Sequence, residues 1–160
     1  MGCILVVHGP NLNLLGSRQP QIYGQTSFES INTMLRQVAQ QEGHSIDIVQ
    51  SNSQGALVDY LQQRGPAVHV LVMNPAAYTH TSVALRDVVL AVGMPLIEVH
   101  VSNIHHREPF RRHSYLADIA VGQIAGFGAY SYRLALEAAC HLLRQSTADV
   151  SSVPMPTSQQ

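Results

Sequence analysis

Short apolar runs recur along this chain of 160 residues and alternate with longer segments of helical periodicity. The runs are residues 3–7, 45–49, 68–73, 96–101 and 119–121. They are nearly continuous rather than alternating, which is typical of parallel strands that helices cover on both faces. The pattern predicts an α/β fold, a three-layer sandwich around a five-stranded parallel sheet.

Four helices are predicted between and after these runs. They cover residues 28–42, 54–64, 81–92 and 127–144. In the first helix apolar residues recur at helical spacing from Ile31 to Val38, Thr26 and Glu29 are expected to form a capping box, and Gly43 ends the helix. Residues 146–160 are rich in Ser, Thr, Pro and Gln, so we expect a single domain over residues 1–145 followed by a flexible tail.

Composition restricts the classes of partner. The net charge is -1 and the chain has no Trp, so nothing favours nucleic acid or an anionic membrane. Charged residues make up 12% of the chain, about half the usual share, and we therefore expect an oligomer that hides part of the surface. Cys3 and Cys140 lie in apolar runs and are expected to be buried thiols. No membrane span or signal peptide is evident, which predicts a cytoplasmic protein.

A loop punctuated by Gly and Pro follows the first apolar run, over residues 9–24. It contains Arg18 and Tyr23. A guanidinium beside a phenol stabilises the phenolate and lowers its pKa, so Tyr23 could act as a base at neutral pH. The alternative is a tyrosine that packs under the loop while the arginine faces water.

Ligands in such folds bind at the carboxyl ends of the strands. Asn74 ends the third run before Pro75, where it is either a site amide or an ordinary turn residue. Glu98 and His100 share one face of the fourth strand. A carboxylate beside an imidazole can orient it and keep a proton available, although a purely structural pair is the alternative. Arg111, further on, could bind a carboxylate.

Histidines are frequent in the second half of the chain. His80 and Asp87 are placed on one stripe of the third predicted helix. A metal site is a further possibility for the five histidines His80, His100, His105, His106 and His113. No His-x-x-x-His or His-Glu-x-x-His spacing supports it, so no metal is expected.

Motifs of several other enzyme classes are missing. Neither a Gly-x-Gly-x-x-Gly nor a Walker loop occurs, and no Gly-x-Ser-x-Gly elbow is present. What remains is a site without a cofactor that offers a phenolate, an imidazolium and several amides. Such groups suit proton abstraction next to a carbonyl with loss of water.

Three segments carry a resemblance to a known family. They are Gly-Pro-Asn-Leu-Asn-Leu-Leu-Gly at 9–16 with Arg18 and Tyr23, Asn-Pro-Ala-Ala-Tyr-Thr-His-Thr-Ser at 74–82, and Glu-Val-His-Val-Ser-Asn at 98–103 with Arg-Glu-Pro-Phe-Arg-Arg-His-Ser at 107–114. Over residues 3–143 the chain closely resembles type II 3-dehydroquinate dehydratases. The resemblance implies a flavodoxin-like fold, a dodecamer built from trimers, and no cofactor.

The same resemblance implies a reaction. It is the dehydration of 3-dehydroquinate to 3-dehydroshikimate through an enolate, in the shikimate pathway of aromatic amino acid biosynthesis or in quinate catabolism. By analogy Tyr23 removes a C2 proton while Arg18 lowers its pKa, and Asn11 helps to hold the enolate. His100 protonates the departing C1 hydroxyl, and Glu98 supports it. The alternative is a flavodoxin-like binding module without catalysis.

The resemblance also implies how substrate is bound. Val101 and Ser102 would hold its carboxylate, and His80 and Arg111 its ring hydroxyls, which replaces the carboxylate first suggested for Arg111. Asn74 would bind substrate and hold His100, and Asp87 would come from a neighbouring subunit. Four residues depart from the family pattern: His8, Gln19, Gln21 and Gln54.

Overall fold

Five parallel strands form the centre of this computed structural model, which describes residues 1–17, 21 and 26–151, with side chains described as far as Ser146. The strands are β1 (Cys3–His8), β2 (Ser45–Gln50), β3 (Val70–Asn74), β4 (Leu96–His100) and β5 (Gly122–Ala125). Their order in the sheet is β2-β1-β3-β4-β5, and every neighbouring pair is parallel. This is the strand order of the flavodoxin-like sheet.

Helices cover both faces of the sheet. They are α1 (Phe28–Gln41), α2 (Gln54–Arg64), α3 (Val83–Val92) and α4 (Tyr130–Ser151). Successive side chains of β1 pack into two different cores, one on each face of the sheet. Ile4 and Val6 pack with α1 and α4, whereas Leu5 and Val7 pack with α2 and α3. The predicted three-layer sandwich is therefore confirmed. No helix in the described part of the chain is long and apolar enough to span a membrane.

The last strand differs from the prediction. Residues 119–121 lie in a turn, where the N–H groups of Ile119 and Ala120 donate to the carbonyl of Leu116, and the strand follows at Gly122–Ala125. This strand is at the edge of the sheet and its first two residues are exposed. A continuous apolar run was the wrong signal for a strand that is not covered on both faces.

Helix boundaries also differ. Ser27, not Thr26, caps α1, since its hydroxyl accepts the N–H of Ser30 at 3.1 Å. Residues 76–80 form a short 3₁₀ helix that ends before α3, so the stripe predicted for His80 and Asp87 on one helix is wrong. Helix α4 continues to Ser151, so the first residues of the predicted tail are helical. Residues 152–160 lie outside the described residues.

Two glycines near α2 give a matched test of the packing. A Cβ at Gly65 would lie 2.3 Å from Cγ1 of Val92, whereas a Cβ at Gly55 would meet nothing nearer than Ser53 Oγ at 3.8 Å. We expect Gly65→Ala to lower the free energy of unfolding by about 1–3 kcal/mol through overpacking. Gly55→Ala should raise it by about 0.5 kcal/mol, because alanine favours the helix. Urea denaturation measures both, and a Gly65→Ala protein as stable as the wild type would contradict the described packing.

Candidate active site

A pocket opens at the carboxyl ends of β1, β3 and β4. It contains about 680 Å³ of empty space, including space open to solvent. Strand order reverses between β1 and β3, and such switch points are where ligands bind in this class of sheet. The residues predicted for the site that line the pocket are Asn11, Asn74, His80, His100, Val101, Ser102 and Arg111. The structure therefore brings together residues that lie up to 100 positions apart in the chain.

The loops after β1 and β3 touch each other through their backbones. The N–H of Gly9 donates to the carbonyl of Asn74 at 2.8 Å. A Cβ at Gly9 would lie 2.3 Å from the carbonyl oxygen of Pro75. Because backbone atoms cannot move aside as a flexible side chain can, this position requires glycine.

Two pocket residues have left-handed backbones. Asn11 (φ 67°) and Ala76 (φ 51°) are the non-glycine residues of the described chain with positive φ. Each is held by a hydrogen bond from its own N–H, Asn11 to Asn52 Oδ1 at 3.0 Å and Ala76 to Asn74 Oδ1 at 3.0 Å. Backbone strain of this kind is concentrated at functional sites, which supports the assignment of this pocket.

Glu98 and His100 form a buried pair beneath the pocket. Glu98 Oε1 accepts hydrogen bonds from His100 Nε2 at 2.6 Å, Thr79 Oγ1 at 2.6 Å and Ser114 Oγ at 2.7 Å. Burial alone raises the pKa of Glu98, but the hydrogen bond and charge of His100, with the two hydroxyls, outweigh it and leave that pKa below its ordinary value. Glu98 is thus an ionised carboxylate that accepts a hydrogen bond from His100 Nε2. This leaves Nδ1 of His100 available to a ligand.

Sequence reasoning missed the two hydroxyls on Glu98. Thr79 is fully buried and also lies within hydrogen-bond distance of Ser114, at 2.9 Å between the hydroxyl oxygens. Both residues stand inside segments that carried the family resemblance, yet nothing in a one-dimensional pattern indicates which of their neighbours they contact. Arg107, which lines the pocket, was missed for the same reason.

One contact determines which ring nitrogen of His80 carries the proton. Its Nδ1 lies 2.8 Å from the carbonyl oxygen of His113, which can only accept, so Nδ1 carries the proton. Burial lowers the pKa of His80, and the nearby His100 and Arg111 lower it further, against the hydrogen bond to His113. The side chain is therefore neutral at pH 7, and Nε2 is free to accept a hydrogen bond from a hydroxyl.

Arginine side chains give the pocket a cationic edge. Arg111 Nε lies 3.0 Å from Glu108 Oε2, and Arg107 Nε lies 3.6 Å from the same oxygen. Arg111 Nε is buried and, apart from this ion pair with Glu108, has no hydrogen-bond partner among the described residues. The half-exposed carboxylate of Glu108 thus contacts both guanidinium groups at the edge of the pocket.

Asn74 is oriented differently from the expectation. Its Oδ1 accepts the N–H of Ala76, and its Nδ2 donates to the hydroxyl of Tyr132 at 2.9 Å. The expected hydrogen bond from Asn74 to His100 is not among the contacts of the described residues; Asn74 contacts Ala76 and Tyr132, and His100 contacts Glu98. One N–H of the Asn74 amide remains for a ligand in the pocket.

His8 lies behind Asn74 and is fully buried. Its Nδ1 is 2.9 Å from the Tyr132 hydroxyl and its Nε2 is 2.9 Å from Asn32 Oδ1. Burial lowers the pKa of His8 to about 4, against the hydrogen bond to Asn32. His8 is therefore neutral at physiological pH.

The geometry agrees with the comparison to known proteins. A family model described as Dehydroquinase class II matches residues 2–140. This chain belongs to the class II dehydroquinase family. The resemblance stated from the three sequence segments is thereby confirmed.

Individual relatives cover nearly the whole chain. A 3-dehydroquinate dehydratase from Hahella chejuensis is 54% identical over 140 residues, which are 87% of this chain and 95% of the relative. A type II dehydroquinase from Propionibacterium acnes has a similar structure, with a TM-score of 0.84 and 37% identity over 88% of this chain and 97% of that one. The type II dehydroquinase from Butyrivibrio crossotus has a TM-score of 0.83 and 38% identity, over 86% of this chain and 96% of that one.

Some family site residues are not in the pocket as described. Asp87 is exposed on α3 and does not line it. Arg18 and Tyr23 lie outside the described residues. No group of three or more His, Cys, Asp or Glu side chains within the described ranges could hold a metal ion.

The low pKa of His8 makes stability depend on pH. Between pH 6.5 and about 4 the unfolded chain protonates His8 while the folded chain does not. The free energy of unfolding should therefore fall as the pH falls through this window, by on the order of 3 kcal/mol from this residue. Urea denaturation at several pH values should show a shallower fall for His8→Asn, in which the side chain cannot titrate. Equal slopes for the two proteins would rule out this contribution.

Proposed function

We propose that this dehydroquinase family member converts 3-dehydroquinate to 3-dehydroshikimate and water through an enolate, using its own side chains. The observation that carries the proposal is the hydrogen-bonded pair of Glu98 and His100 at the pocket. It supplies a positioned proton donor where the family reaction needs one. The reaction serves either aromatic amino acid biosynthesis or quinate catabolism. A cytoplasmic location stays a prediction.

Tyr23 is proposed as the base. Its phenolate takes the proton from C2 of the substrate, and by analogy with the family the charge of Arg18 lowers the pKa of the phenol. The support is the family resemblance and the place where the segment leading to both residues begins. The chain leaves the sheet after β1, and four residues that precede both positions line the pocket: Pro10, Asn11, Leu12 and Leu15.

His100 is proposed as the acid. Once C2 has lost its proton, the negative charge lies on the C3 oxygen as an enolate, which Asn11 helps to hold. The C1–O bond then breaks, and a proton from His100 makes the departing hydroxide a water molecule. Because Nε2 is bound to Glu98, the proton leaves from Nδ1. The carboxylate of Glu98 stabilises the imidazolium before transfer.

The remaining pocket residues are proposed to bind the substrate. The backbone amides of Val101 and Ser102, with the Ser102 hydroxyl, suit the substrate carboxylate at the end of β4. Neutral His80 accepts a hydrogen bond from a ring hydroxyl through Nε2. Arg111 and the free N–H of Asn74 donate to other ring oxygens. Together these groups hold the ring with C1 toward His100.

We propose that the active form is an oligomer of trimers, a dodecamer, in which Asp87 completes the pocket of a neighbouring subunit. Asp87 lies on α3 between Val83 and Leu90, at helical spacings that put the three residues on one face. Val83 is 50% and Leu90 55% exposed in the single chain. An apolar face around an acidic residue fits an interface better than a free surface.

The proposed reaction has a direct assay. The product contains a carbon–carbon double bond conjugated with the ketone, which absorbs in the ultraviolet, whereas the substrate does not contain it. Purified protein should raise this absorbance when mixed with 3-dehydroquinate, and His100→Gln prepared identically should not. If the wild-type protein binds 3-dehydroquinate without converting it, the binding-module alternative is correct.

A substitution of Glu98 tests the support for the proton donor more specifically. Glu98→Gln keeps the size of the side chain but removes the charge that stabilises the His100 imidazolium. We expect kcat to fall by about 10²-fold while KM changes little, because Glu98 supports the proton donor and does not line the pocket. Glu137→Gln, which breaks an exposed pair with Arg133 on α4, is the matched control and should keep normal kcat. A Glu98→Gln enzyme with normal kcat would show that the charge of Glu98 does not support the proton donor.

A further inference from the structure

Four polar side chains form a continuous hydrogen-bonded chain behind the pocket. It runs from Asn74 to Tyr132, from Tyr132 to His8 and from His8 to Asn32, with heavy-atom distances of 2.9 Å at each step. The chain joins the ends of β1 and β3 to helices α1 and α4. Among its members Asn74 is the one that lines the pocket.

The direction of every hydrogen bond follows from one backbone group. The N–H of Ala76 can only donate, so the Asn74 atom facing it is Oδ1, and Nδ2 must face Tyr132. The Tyr132 oxygen therefore accepts from Asn74, and because this hydroxyl is fully buried, its own hydrogen needs an acceptor, which among the described contacts is His8 Nδ1. A neutral imidazole with a bare Nδ1 carries its proton on Nε2, which donates to Asn32 Oδ1.

Burial makes this order energetically costly to change. His8 and Tyr132 are fully buried, Asn74 is 2% exposed and Asn32 is 8% exposed. Reversing any one bond would place two donors or two acceptors face to face, away from water. Burial also lowers the pKa of His8 and raises the pKa of Tyr132, so neither changes its charge near neutral pH.

We propose that Tyr132 and His8 are positioning residues that fix the Asn74 amide with its free N–H toward the bound substrate. Neither contacts the pocket, so each acts through Asn74. The proposal rests on the proposed function of the pocket, and it adds two residues from opposite ends of the chain to the machinery that binds the substrate ring.

A double-mutant cycle between Tyr132 and Asn74 tests the proposal. Tyr132→Phe removes one oxygen and leaves the ring in place. We expect it to raise KM for 3-dehydroquinate about tenfold with a smaller change in kcat, because Asn74 binds the substrate in the ground state and the transition state alike. In an Asn74→Ala background Tyr132→Phe should change KM by less than about twofold. Similar effects in both backgrounds would show that Tyr132 does not act through Asn74.

Two further variants extend this test. His8→Leu should raise KM in the same direction and lose its effect in the Asn74→Ala background. Leu136→Val, a fully buried core change on the same helix as Tyr132, serves as the control for loss of packing. It should lower stability with an unchanged KM. A rise in KM for Leu136→Val equal to that for Tyr132→Phe would attribute both effects to packing and overturn the proposal.

A spectroscopic measurement separates this proposal from the proposed function, because it needs no turnover. Nitrogen NMR of the wild-type protein between about pH 6 and 8 should show His8 with a protonated Nε2 and an unprotonated Nδ1. Tyr132→Phe should move the His8 Nδ1 signal and the side-chain amide signals of Asn74. A His8 proton on Nδ1, or Asn74 amide signals unchanged in Tyr132→Phe, would overturn the chain of hydrogen bonds even in an active enzyme.

Discussion

The pairing of β1 with β3 sets the geometry of the site. Their last residues, His8 and Asn74, are direct partners in the sheet, and the chain leaves β1 and β3 toward opposite faces. The backbone contact between Gly9 and Pro75 then fixes how closely the two following loops approach. Other parts of the pocket are placed relative to this junction, since β4 lies beside β3 and adds His100 and the loop that follows it. If the pairing of these strands shifted by one residue, the strand side chains that now face one side of the sheet would face the other side.

Two buried polar networks lie next to the same pocket. One stabilises a charged group and the other stabilises a neutral group. The network around Glu98 gathers three donors on one carboxylate oxygen and thereby keeps a charge inside the protein. The network around His8 contains only neutral groups and holds an imidazole uncharged. Burial opposes charge in both cases, and the outcome depends on whether enough hydrogen bonds favour the charged form. The fold thus provides one ionised and one neutral support within a single site.

Much of this organisation could be predicted from the sequence, because the signals are local. Continuous apolar runs identified the covered strands, and α2 (Gln54–Arg64) has the predicted bounds. Polar residues at the carboxyl ends of strands, together with the family resemblance, identified half of the residues that line the pocket. The edge strand β5 was misplaced because solvent on one side removes the continuous apolar signal. The partner of Asn74 was missed because Tyr132 is 58 positions away, and no local pattern encodes such a contact.

The pocket is assembled from strand ends that meet only after long crossover connections have closed. Parallel pairing of this kind gives no local contacts from which a partial pocket could form early in folding. A small molecule that fits the pocket therefore binds the native sheet and not a fragment of it. By mass action, such a molecule raises the melting temperature of the whole domain as its concentration increases. The melting temperature of this protein therefore reports the concentration of a pocket ligand in the same solution.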